Sequence, residues 1–171
     1  MRMFNWFKKN KEQNIEQRKD QKKDLPLEEN VIPMKPMNYH PKIILAWVKA
    51  VEGEKEFLDW LTNNGYPELT IACSAIHLND EARTWLMKNG YQHLMAMIHA
   101  AEGNKKAQKW LLMSELDMLY HMAMAIESEK ESWVWLKENS TQDIFILTQV
   151  IKRVKDGIEA RHNDIHNFGK N

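Results

Sequence analysis

Between Ile44 and Ile151 the apolar positions recur in two alternating patterns that together repeat every 25 residues. The first pattern, A, runs through aligned columns. They read Ile44, Leu69, Leu94, Leu119, Ile144; Trp47, Ala72, Met97, Met122, Leu147; Val48, Cys73, Ile98, Ala123, Thr148; and Val51, Ile76, Ala101, Ile126, Ile151. Offsets of 0, 3, 4 and 7 make one face of an α-helix. The second pattern, B, is shorter and more charged. It places Phe57, Ala82, Ala107 or Ser132 three residues before a Trp-Leu pair, at Trp60-Leu61, Trp85-Leu86, Trp110-Leu111 and Trp135-Leu136. The four tryptophans are therefore expected to form the structural core of the repeat.

Fixed-period self-similarity of this length signals stacked supersecondary units. The columns predict an all-α fold: a right-stacked solenoid of two-helix repeats, about four helical hairpins plus a closing helix. Ala50, Ala75, Ala100, Ala125 and Val150 form a further column, small in four of five copies, which lets neighbouring helices approach closely. Gly65 and Gly90 read as left-handed helix stops, because glycine carries no Cβ penalty there. Pro67 suits the first turn of a helix, and Ser128 with Glu131 reads as a capping box opening the fourth B helix.

The hairpin resembles the helix pair of ankyrin repeats. In the first copy Ala50, Gly53, Phe57, Trp60, Leu61 and Gly65 follow the ankyrin alternation, and Ala100, Gly103, Asn104, Ala107, Trp110 and Leu111 repeat it. Ankyrin units run about 33 residues. The shorter period here leaves out the β-hairpin finger and its Thr-Pro-Leu-His start, which no copy contains. The resemblance covers residues 44–151 and implies a scaffold that binds proteins; it transfers no binding residue.

Composition divides the rest of the chain. Residues 1–24 form a basic polar tail, residues 25–41 a proline-rich linker, residues 42–160 the helical repeat domain and residues 161–171 a polar C-terminal tail. Residues 1–23 carry eight basic against three acidic side chains, a net of +5, so in a neutral chain the remainder holds −5. An acidic body argues against nucleic acid, which is bound through clustered positive charge. The lone Cys73 excludes an intrachain disulfide framework and suits a reducing compartment. No apolar run approaches the roughly 20 residues that span a bilayer, and no apolar stretch follows the basic start as in a secretory signal. The expected location is cytoplasmic, with peripheral contact to the inner face of the membrane as the variant.

No cofactor, metal centre or catalytic set is expected, because the chain holds no Gly-rich phosphate loop and no nucleophile-base motif. His162 and His166, four apart, make too small a ligand set for a metal. Pattern A is apolar beyond its packing stripe, and Ile71, Met95, Tyr120, His121, Met124 and Phe145 are the candidates for a groove on the concave side that takes a protein or peptide. The linker apolar residues Leu25, Leu27, Val31, Ile32, Met34 and Met37 are suited to lie back across it. Trp133 replaces Leu58, Arg83 and Gln108 of its column, which marks it as an exposed hot-spot candidate. The Phe4, Trp6, Phe7, Lys8 and Lys9 cluster has the aromatic-basic character of an interfacial anchor, giving weak contact with anionic membrane through residues 4–11. The expected function is a non-catalytic protein- or peptide-binding repeat scaffold. A peripheral membrane-associated adaptor and an enzyme of unrecognised type are the alternatives.

Overall fold

The computed structural model describes residues 33–35 and 37–167, with side chains through residue 162. Among the described residues nine helices follow in order: α1 (Pro41–Val51), α2 (Lys55–Asn63), α3 (Pro67–Ile76), α4 (Asp80–Lys88), α5 (Gln92–Ala101), α6 (Lys105–Met113), α7 (Asp117–Ile126), α8 (Lys130–Asn139) and α9 (Gln142–Asn167). No strand occurs among the described residues. The odd-numbered helices are the A copies and form an inner row; the even-numbered helices are the B copies and lie outside it.

Local chemistry sets the helix ends. Pro67 occupies the first turn of α3, and the Asn79 and Asn104 side chains cap α4 and α6 by accepting backbone N–H groups. Every turn but the last, at Ser140, reverses through a left-handed residue, and these also recur every 25 positions: Gly53, Leu78, Gly103 and Ser128 after the A helices, with Gly65, Gly90 and Glu115 after the B helices. The expected capping box at Ser128 does not form. Ser128 takes the left-handed turn position with φ 80°, and Glu129 is the N-cap residue of α8. The repeat register overrides the local serine preference.

Packing runs along the inner row, α1 on α3, α3 on α5, α5 on α7 and α7 on α9, and it does not stop there. The last inner helix packs against the first, so the row closes on itself. Trp47, Ala72, Met97, Met122 and Leu147, one per inner helix and all from a single column, are fully buried. The large indole of Trp47 and the small Ala72 come from adjacent inner helices, and only such size compensation fills a shared interior at native density. The alanine column is equally buried, which is what allows the close helix approach.

Two expectations need correcting. The repeating tryptophans flank the core more than they fill it: Trp85 and Trp135 are half-buried against it and Trp60 and Trp110 are 42% and 40% exposed, whereas Leu61, Leu86, Leu111 and Leu136 are all fully buried. Successive residues on a helix point about 100° apart, so only one of each Trp-Leu pair can face inward, and it is the leucine. Helix α9 also continues to Asn167, so residues 161–167 of the expected polar tail are helical. The stretch from Lys155 to Arg161 supplies a lysine, a glutamate, an alanine and an arginine of good helical propensity, and Gly157 alone does not break it.

Candidate functional site

At the N-terminal end of the inner row lies a cavity of about 450 Å³. Trp47, Met97, Met122 and Leu147 from the central column border it, together with Met118, Leu119 and Ile144. Residues just before α1 lie along it. Met34 and Met37 line the cavity, the Lys35 backbone N–H donates to the Gly90 carbonyl at 2.8 Å, and the Lys35 ammonium sits 5.1 Å above the Tyr91 ring. The Tyr39 hydroxyl donates to the buried Glu68 carboxylate at 2.8 Å and its ring meets Tyr66 edge-on. Burial and the hydrogen bond to Glu68 both push the Tyr39 phenol well above its ordinary pKa. The end of the proline-rich segment therefore does fold back onto the inner helices.

His93 lines the same cavity. It is only 2% exposed, and neither ring nitrogen has a hydrogen-bond partner. Burial pushes its pKa below the ordinary value, so at neutral pH it offers one N–H donor and one bare nitrogen acceptor. Its column reads Ile43, Glu68, His93, Met118 and Asp143. A histidine among apolar and acidic residues at the second position of an A helix was the available signal for this site.

The expected groove residues are spread through the packing. Met95 and Met124 are buried, while Ile71, Tyr120, His121 and Phe145 are half-buried against the core. Closure of the inner row places neighbours on both sides of each A helix, and at Met95 and Met124 that leaves no open groove. His121 stacks on Trp135 at 4.1 Å and meets Tyr120 edge-on. Its Nδ1 lies 3.0 Å from the Ser132 hydroxyl, which donates to Glu129. Ser132 is fully buried and its proton is directed at a carboxylate, so this trio clasps α7 to α8 and does not present a nucleophile.

Trp133 is half-buried, with its ring edge-on to Phe145 at 5.3 Å. Its column faces the preceding inner helix more than solvent: Arg83 donates to the Ala75 carbonyl and Gln108 to the Ala100 carbonyl. The membrane candidates Phe4, Trp6, Phe7, Lys8 and Lys9 lie outside the described residues, as do Leu25, Leu27, Val31, Ile32 and the side chain of His166. Among the described residues no helix is long and apolar enough to cross a membrane, and no group of three His, Cys, Asp or Glu side chains could hold a metal.

The outer helices carry what the inner row does not. Trp60, Met87, Trp110, Leu112, Met113 and Val134 are all exposed, Met113 by 74%. The repeat columns bring several of these into line, since Trp60 and Trp110 are equivalent, as are Met87 and Leu112.

No protein-family profile, curated protein sequence or solved structure matches this chain. The likeness to the ankyrin helix pair accordingly rests on the residues quoted above alone. The short turns between each outer helix and the next inner one leave no room for a β-hairpin finger.

Proposed function

We propose that this protein is a non-catalytic binding module whose recognition surface for a protein or peptide is the outer face of α2, α4 and α6. The observation that supports this reading is the aligned exposure of Trp60, Met87, Trp110, Leu112 and Met113 on a fold whose inner residues are used up in packing. Exposed apolar patches mark interaction sites, and tryptophan is enriched among residues that dominate binding energy. The inner-helix set favoured by sequence pattern is less suited to the role, because Met95 and Met124 are out of a partner's reach. Affinity capture from native cell extract with the full chain and with a Trp110→Lys, Met113→Lys variant tests it. The variant should keep its far-UV spectrum and lose the captured partners. An unchanged set of partners would remove the outer face from consideration.

A second reading is favoured by the cavity at His93, whose unpaired imidazole and methionine-rich wall suit a small apolar molecule bearing one hydroxyl or carbonyl group. Thermal shift with a long-chain alcohol, compared with the alkane of equal length, separates it from the first reading. Stabilisation by the alcohol alone, lost in His93→Phe, supports it, and no shift with either sinks it.

A further inference from the structure

The neighbouring inner helices α5 and α7 share a side-chain pattern that the other three lack. On α5, His93 and Met97 stand four residues apart, and on α7 Met118 and Met122 have the same spacing. Side chains at i and i+4 share one helix face, with Cβ atoms about 5–6 Å apart. The 25-residue register sets His93 level with Met118 and Met97 level with Met122, and α5 packs directly on α7. All four side chains border the cavity of about 450 Å³. In the other inner helices these two columns read Ile43 and Trp47, Glu68 and Ala72, and Asp143 and Leu147, with no thioether among them.

Core packing alone accounts for Met97 and Met122, which are fully buried, because methionine fills irregular interiors. It does not account for His93. Burying an imidazole with neither nitrogen paired carries a cost that an apolar side chain would avoid. One unpaired ring nitrogen facing three thioethers makes a donor set of a different kind from the His, Cys, Asp and Glu groups excluded above. Thioether sulfur is a soft ligand that selects Cu(I), and imidazole suits the same metal. Every donor is neutral, which also decides the charge of the ion. The desolvation cost of an ion rises with the square of its charge, so a buried divalent ion calls for carboxylate or thiolate ligands that this set does not contain. The exposed Glu115 and Asp117 line the cavity against the single Lys35, whose ammonium lies over Tyr91, and this excess of negative charge draws a cation inward.

We propose that His93, Met97, Met118 and Met122 form a binding site for Cu(I), held between α5 and α7 by one imidazole and three thioethers. This departs from the sequence expectation of no metal centre, because thioether pairs show their meaning only when two helices set them side by side. The ligand also differs from the hydroxyl or carbonyl compound of the second reading, although both would use the same cavity. Met34 and Met37 add thioethers from the segment before α1, and Met34 is 48% exposed. They offer an entering ion its first soft ligands.

The test titrates the full chain anaerobically, with ascorbate as reductant, into the Cu(I) complex of bicinchoninate. A Cys73→Ala background removes the only thiol as a competing ligand. One equivalent of Cu(I) should leave the chelator. His93→Phe, and separately Met118→Leu with Met122→Leu, should each weaken binding by about a hundredfold or more, since even the outer partners of a metal ligand are worth 10–100-fold. The leucine changes conserve volume and should keep the far-UV spectrum; if the pair does not fold, Met118→Leu alone carries the same test. Met87→Leu with Met113→Leu, at exposed positions, should bind as the parent does. Ag(I), a redox-inert ion of equal charge, should shift the methyl resonances of Met97, Met118 and Met122 and leave those of Met87 and Met113 in place. No Cu(I) uptake and no Ag(I) shift overturn the proposal, as does undiminished binding in the leucine variants or equal affinity for Zn(II). Stabilisation by the long-chain alcohol without Cu(I) uptake overturns the ion site and leaves the second reading standing, whereas Cu(I) uptake without an alcohol effect supports the ion site alone.

Discussion

The Arg153 guanidinium donates to the Glu52 carboxylate at 2.6 Å across 101 positions of the chain, fastening the last inner helix to the first. Arg153 is largely exposed, so the pair marks the closure more than it enforces it. The enforcing contacts are the apolar ones beneath, where Trp47 of α1 and Leu147 of α9 are fully buried.

A comparison of variants separates the two contributions. Glu52→Gln should lower stability by less than about 1 kcal/mol, as surface ion pairs do. Trp47→Ala empties the middle of the ring and should lower it by about 3–5 kcal/mol. Urea unfolding followed by far-UV circular dichroism measures both, and a Glu52→Gln loss as large as that of Trp47→Ala would show that the ring is held by charge.

Leu78 holds a left-handed backbone with φ 68°, at the turn position where two sister copies have glycine, and its side chain is 41% exposed. Leu78→Gly should stabilise the fold by roughly 0.5–1 kcal/mol, because relief of the Cβ clash exceeds the added entropy of the unfolded chain. The converse change, Gly53→Ala, meets no neighbouring atom within 4 Å and should lower stability through backbone strain alone. Thermal midpoints of the two variants should therefore move in opposite directions.

His93 gives the fold an acid-side weakness. Its folded pKa is lowered by burial, whereas an unfolded imidazole titrates near about 6.5. Below that value the unfolded chain binds the proton more readily, so stability contributed by the neutral ring is complete above about pH 6.5 and declines as the pH falls toward the folded pKa. His121 is shifted the same way and adds to the slope. His93→Phe should flatten the fall in unfolding free energy over this window without abolishing it, and an unchanged slope would assign the dependence elsewhere.

The clasp between α7 and α8 makes a smaller prediction. Ser132→Ala removes a fully buried hydroxyl that lies between Glu129 and the His121 imidazole. Leaving those groups without it should destabilise by about 1–3 kcal/mol. Differential scanning calorimetry reads the loss directly.

Much of this architecture was legible from the residue pattern. The apolar columns placed five inner and four outer helices, and Gly65 and Gly90 stand where left-handed stops were expected. Ring closure was not legible, because columns describe how one hairpin meets the next, whereas curvature depends on small rotations added over five copies. Tryptophan regularity misled for a related reason. A strict interval reveals register, but whether Trp60 or Leu61 faces inward depends on the rotation of the helix about its axis. His93 stood in plain sight as a polar residue in a largely apolar or acidic column, yet only the three-dimensional packing revealed that both of its nitrogens lack partners.

The meeting of α1 with α9 also limits how such a chain can change size. An open array lengthens by duplicating a unit, since each new copy extends one free end. Inserting another 25 residues here would drive the terminal inner helices apart and turn Trp47 toward water. Surface residues can be exchanged one by one, but the tally of hairpins is locked by geometry.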